Sequence, residues 1–208
     1  MSFRTRFLLF SSFLVLGTGC ASEFKSLRST HAIPCNLAQF RPSIDYALYE
    51  TTVDVIHKHL SGLMAVKTMP DTSIRAVFQS EMGLTYFDFE WSRNGNFHAR
   101  NVIDKMNKKA VITTLRKDFE LMLMIGMDAA KAEAFSDGFL LFTRIPKENE
   151  YIYAITDSAC IQLRKMEIAS SRKAKVELYL YGNRDIPDSV LIDHKQFKFT
   201  ISLKRIFQ

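Results

Sequence analysis

Period-two alternation recurs along this chain at short intervals, and a chain patterned that way is confined to a sheet built from consecutive hairpins. Successive side chains of a strand point to opposite faces. In Thr85–Trp91 this puts Phe87, Phe89 and Trp91 on one face and Tyr86, Asp88 and Glu90 on the other. Tyr49, Thr51, Val53 and Val55 likewise oppose Glu50, Thr52 and Asp54. Strands are predicted at 60–67 and 73–79 around the turn signal Met69-Pro70-Asp71. The hairpin dipeptide Asn94-Gly95 leads into a strand at 96–103. Further strands are expected at 139–144, 151–156, 160–168, 175–181 and 191–206. No internal repeat interrupts the pattern, so a single mainly β domain with an antiparallel sheet is expected.

The period changes once. Over 108–125, Val111, Leu115, Phe119 and Met122 recur at helical spacing, with Lys109, Arg116, Lys117 and Glu120 assigned to the opposite side. Asn107 is the expected N-cap and Gly126 the expected stop. A short second helix is expected over 128–135. One helix against the inner face of a curved sheet offers few partners for a broad apolar surface, which then packs on the helix or encloses a cavity. Two readings follow for Phe87, Phe89, Trp91, Leu115, Phe119 and Met122: the wall of a ligand-binding apolar cavity, or a plain core. Met106, Met122, Met124 and Met127 cluster at the helix ends, and thioethers adapt to varied apolar shapes.

The N-terminus carries its own signal. Arg4 and Arg6 precede an apolar run from Phe7 to Leu16, and small residues then lead to Cys20. This is the layout of a cleaved secretory signal, too short for a spanning helix. It resembles a bacterial lipoprotein lipobox, with Gly17 where Leu is usual and Leu16 one place early. The resemblance implies removal of residues 1–19, acylation of Cys20, a tether over 20–44 and a folded domain over 45–208. Each buried methylene contributes about 0.8 kcal/mol, so two or three acyl chains would hold the protein firmly at a membrane it does not span. Ala21-Ser22-Glu23 places no aspartate after Cys20, which by resemblance to enteric lipoproteins implies the outer membrane, facing the periplasm.

The 28 basic and 22 acidic residues become 26 and 22 after cleavage, a net charge of +4. The basic residues are scattered, and an exported protein meets little nucleic acid, so solvated faces with weak attraction to anionic lipid are expected. With Cys20 acylated, Cys35 and Cys160 are either bridged or two lone thiols, the latter at least as well supported by count and compartment. His57 and His59 share one face of a strand, but no third ligand is placed by sequence and Asp54 is assigned to the other face. His31, His98 and His194 are isolated. Asp88 and Glu90 are read as a wet face flanked by basic partners. Without a G-x-S-x-G elbow, P-loop, Rossmann fingerprint or H-E-x-x-H, a non-enzyme with no cofactor and no metal is expected.

The order of elements, from lipobox through five strands and an amphipathic helix to further meandering strands, resembles the lipoprotein-localisation-factor (LolA/LolB-like) superfamily. The resemblance rests on Phe87-Asp88-Phe89-Glu90-Trp91, on Asn107-Lys108-Lys109-Ala110, and on the closing 187–203 segment with its basic bend at His194-Lys195. It implies an open curved sheet, a half-barrel, with a helix on its concave face over an apolar cavity. It also implies a monomer whose partners are the membrane, through the lipid on Cys20, and acyl chains or lipoproteins. The alternative is a lipid-anchored interaction subunit with the same fold and a filled core. The superfamily's protruding apolar loop and lid arginine are not assigned to residues of this chain.

Overall fold

The computed structural model of the chain describes residues 24, 27–30, 33–56, 58–182 and 185–207. Thirteen strands form one sheet: β1 Arg28–Ser29, β2 Tyr46–Val55, β3 Lys58–Thr68, β4 Ile74–Gln79, β5 Thr85–Trp91, β6 Phe97–Val102, β7 Glu133–Ser136, β8 Leu140–Lys147, β9 Glu150–Asp157, β10 Leu163–Ala169, β11 Ala174–Tyr181, β12 Ser189–His194 and β13 Phe199–Arg205. The order is β1-β7-β8-β9-β10-β11-β12-β13-β2-β3-β4-β5-β6, and every neighbouring pair is antiparallel. The last strand closes onto β2 in the middle of the sheet, with Phe199 opposite Val55 and Arg205 opposite Tyr49. The outer strands β1 and β6 do not pair, so the sheet is an open half-barrel rather than a barrel.

Among the described residues a single α-helix, α1 (Lys109–Met122), lies on the concave face, next after β6 in the chain. Alternation explains the layers. Ala47, Tyr49, Thr51 and Val53 of β2 are buried inward, as are Phe87, Phe89 and Trp91 of β5 and Phe199, Ile201 and Leu203 of β13. Their alternates face out. Buried residues of α1, of the segment after it and of eleven strands form one continuous apolar cluster.

Three elements differ from the sequence expectation. The stretch 128–135 is not a helix: Ala129–Lys131 makes one 3-10 turn capped by Asp128, and β7 begins at Glu133. The high helix propensity of Ala129 and Ala130 yields to pairing of Glu133–Ser136 with Arg144–Leu141 of β8, a tertiary contact that local preference does not contain. The 191–206 stretch is two strands folded at the basic bend, with His194 opposite Phe199. Strand 160–168 starts only at Leu163, because Cys160 sits in a turn at φ 57.

Cys35 and Cys160 are bridged, with Cα atoms 5.8 Å apart across 125 residues of sequence. The expectation of two lone thiols is therefore corrected. Chain folding brings together positions whose distance along the sequence says nothing about their distance in space. Around the bridge, Cys35, Leu37, Phe40 and Ile44 are buried in the main core, so this end of the predicted tether belongs to the packed body. Closing so long a loop removes much of the unfolded chain's freedom. Replacing both cysteines by serine should cost about 2–5 kcal/mol, read as a lower urea midpoint that wild type matches under reductant.

One glycine is dictated by packing. Gly62 of β3 lies against β4, where an added Cβ would collide with the carbonyl oxygen of Gln79. Backbone, not a flexible side chain, is in the way. Gly62→Ala should therefore destabilise by about 1–3 kcal/mol, with amide exchange quickening first across the β3–β4 ladder.

Candidate functional site

The concave face is built from β5 upward. Its inward residues Phe87, Phe89 and Trp91 follow from strict alternation, and they meet α1 through Phe119. Ring centroids of Phe87 and Phe119 are 5.6 Å apart, and Phe87 stacks on Phe89 at 4.4 Å. Leu115 and Met122 lie one turn either side of Phe119. All six sequence-predicted ligand residues are brought into one cluster, each 3% exposed or less. Of four cavities among the described residues, none is lined by any of the six. The cavity nearest α1 lies at its margin, between Lys117 and Leu121 on the helix and Lys147, Glu150, Ile152 and Ile168 on the sheet, with room for little more than a water.

Two polar atoms inside this apolar face have no hydrogen-bond partner among the described residues: Trp91 Nε1 and Asp118 Oδ1. Asp118 is fully buried on α1, and its other oxygen meets His194 Nε2 at 3.0 Å. His194 in turn packs against Phe199 and Phe197, with ring centroids 4.5 and 5.1 Å away. Burial raises the Asp118 carboxyl above its ordinary value, and the hydrogen bond from His194 and the charge of Lys117 offset this only in part. Sequence reading treated His194 as isolated and did not single out Asp118. A signal existed: Asp118 stands seven residues after Val111 and three after Leu115, on the apolar stripe of the helix.

The C-terminal half of α1 is buried on all sides, which overturns the assignment of Glu120 to a solvated face. Glu120 is buried because it is neutralised: Lys147 donates to its carboxylate at 2.7 Å and Arg116 at 2.6 Å. Beside it, Glu150 of β9 accepts from Lys117 of the helix at 2.5 Å and from Lys175 of β11 at 2.6 Å. A charged clasp thus joins α1 to β8, β9 and β11. The helix starts at Lys109 with Lys108 in the N-cap position and no side-chain cap, one residue after the expected Asn107. Its end is marked by left-handed Met124 and Gly126.

Burial by itself would raise the Glu120 and Glu150 carboxyls, but their lysine and arginine partners outweigh it, and both lie below the ordinary value of 4.5. A carboxylate whose folded pKa is depressed contributes stability above its unfolded pKa and loses it as pH falls through the folded value. The clasp should therefore weaken progressively below about pH 4.5. A Glu120→Gln, Glu150→Gln double variant should start less stable at neutral pH and lose less on acidification. Urea titrations at stepped pH check this, and parallel pH curves for the two proteins would refute it.

The remaining predicted features resolve simply. Asp54 and His59 are cross-strand partners bonded at 2.7 Å in the exposed β2–β3 hairpin, so they share a face. Strand parity counted through Asp54 to His59 fails because a turn lies between them. His57, His31 and Cys20 lie outside the described residues, as does the signal segment. Asp88 pairs with Arg75, and Glu90 accepts from Arg100 at 2.6 Å, on the wet face of β5. No group of three or more His, Cys, Asp or Glu that could hold a metal occurs among the described residues. Unforeseen apolar exposure occurs at the β4–β5 hairpin, where Met82 is 94% exposed and Leu84 is also solvated.

No protein-family model matches the chain, and no curated protein matches it. Two solved structures are similar to it in fold. One is a DUF1329 family protein from Desulfovibrio piger, 8% identical over 82% of this chain and 87% of that one, with a TM-score of 0.44. The other is a "putative outer membrane lipoprotein-sorting protein domain" from Vibrio parahaemolyticus, 9% identical over 78% and 83%, with a TM-score of 0.45. Neither similarity is close enough to assign the chain a family or an activity.

Proposed function

We propose that this chain is a lipid-anchored, non-catalytic binding protein of the bacterial envelope, which takes up an acyl chain between α1 and the concave face of its sheet. The observation that carries the reading is the pair of unpartnered buried polar atoms, Trp91 Nε1 and Asp118 Oδ1, within an otherwise apolar interior. A buried polar group left without a partner costs about 1–3 kcal/mol. A guest with an apolar tail and a polar end relieves that cost, which a permanently closed apolar core does not. Uptake requires α1 to shift, and the clasp around Glu120 and Glu150 sits at the helix margin, where it can part without breaking the sheet. The lipidation of Cys20 and an outer-membrane, periplasm-facing location rest on the N-terminal sequence, and transfer of lipoproteins is the finer form of this reading.

The second reading, a lipid-anchored interaction subunit with a filled core, is favoured by one observation. All six predicted pocket residues are packed to 3% exposure or less. Trp91 is the chain's single tryptophan, so its emission reports on the concave face alone. Titrating the mature domain, with Cys20 replaced by serine, against a dibrominated fatty acid separates the two. Saturable quenching of Trp91, displaced by an unbrominated chain, is the outcome expected for a carrier. Emission unchanged across the titration leaves the filled-core subunit, for which Phe119→Ala should cost about 3–5 kcal/mol of stability and alter nothing else.

A further inference from the structure

The convex side of the sheet has an apolar region of its own, separate from the concave face. Tyr153 and Ile155 of β9 point outward yet are buried, together with Ala169 of β10, in a second cluster with Phe24, Leu27, Leu140 and Phe142. What covers them is the N-terminal segment. Phe24 stacks flat on Tyr153, with ring centroids 4.3 Å apart and planes 9° from parallel. Four residues on, β1 pairs with β7 at the sheet edge. The chain is therefore docked at Phe24, and only four residue steps separate that docking point from Cys20.

Four residues span at most about 14 Å. If Cys20 carries lipid, the bilayer surface cannot stand farther than that from Phe24, whatever path the intervening residues take. The surface around Phe24 suits such a neighbour. An open groove of about 560 Å³ runs beside it, lined by Leu140, Phe142 and Ile155 and by Lys165 and Lys195 with their ion-pair partners Glu167 and Glu177. Next to it, the Arg144 guanidinium lies over the rings of Phe135 and Tyr151, at 4.4 and 4.9 Å. At the end of these strands, two hairpin tips carry solvent-exposed apolar residues: Phe139 is 84% exposed and Ile161 60%. Aromatic rings interleaved with cations are the side-chain set that settles at the headgroup level of a bilayer.

We infer that the convex face of β7–β10, with the Phe139 and Ile161 tips, rests on the phospholipid surface into which Cys20 is anchored, which turns the concave face and α1 away from that membrane. The inference rests on the acylation of Cys20 put forward above, and it commits the face to a bilayer rather than to a protein partner. It leaves the contents of the concave side open.

The test uses the full chain, matured in a bacterial host and reconstituted in vesicles of phosphatidylethanolamine and phosphatidylglycerol. A photoreactive benzoylphenylalanine replaces Phe139, Phe142 or Met82 in turn, and lipid adducts are counted by mass spectrometry. Phe139 is solvated, so its replacement leaves packing intact even if replacing Phe142 does not. Adducts at 139 and 142 should exceed those at 82 about tenfold, because the short leash holds one face at high local concentration against lipid. Inserting a Gly-Ser segment of about 30 residues between Cys20 and Phe24, with an r.m.s. span of roughly 30 Å, should erase most of that excess. Equal or greater labelling at Met82, with Cys20 shown to be acylated by the mass of the N-terminal peptide, overturns the inference and leaves the anchored reading standing. An unmodified Cys20 overturns both.

Discussion

The seat of α1 in the curve of the sheet is the contact on which the rest of the molecule depends. An open sheet of thirteen strands has two faces and no second sheet to cover either of them. The inward side chains of the sheet therefore find their partners in one helix, the segment that follows it and the 35–44 stretch. Phe119 reaches Phe87 and Trp91, and Met122 to Ile125 extend the same contact beyond the helix. Remove that contact and the concave face becomes an apolar trough exposed to water, which no isolated sheet of this width tolerates.

A helix in such a seat must bring polar atoms with it, and the chain handles them in two ways. At the margin, Glu120 and Glu150 are matched by three lysines and an arginine, and the carboxylates remain charged. In the interior, Asp118 has only His194, and burial drives its carboxyl toward the neutral form. The first arrangement holds because each carboxylate has two cationic partners to offset its desolvation. The second costs free energy in a dry interior, because the pair's attraction must offset the desolvation of both groups.

The convex side shows why the N-terminal segment is more than a leash. Tyr153 and Ile155 would be exposed aromatic and aliphatic surface without Phe24 and Leu27 lying over them. Farther on, the Cys35–Cys160 bridge fastens the same segment to the β9–β10 turn. The N-terminal segment is thus fixed to the sheet at two points, one by stacking and one by a covalent bond.

Alternation in Thr85–Trp91, the Asn94-Gly95 turn and the helical spacing of Val111, Leu115, Phe119 and Met122 determined the fold class, the inward residues of β5 and the place of the one helix. These are local periodicities, and each is enforced by backbone geometry within a few residues. The tertiary structure alone decided that Ala129–Lys131 does not grow into a helix, since β8 offers Glu133–Ser136 a ladder. It alone decided that Cys35 meets Cys160, that Glu120 lies buried among cations, and that Asp118 meets His194 across 76 residues of chain. Each of those depends on where a distant segment lies. A periodicity reports which way a side chain points and carries no information about what waits there.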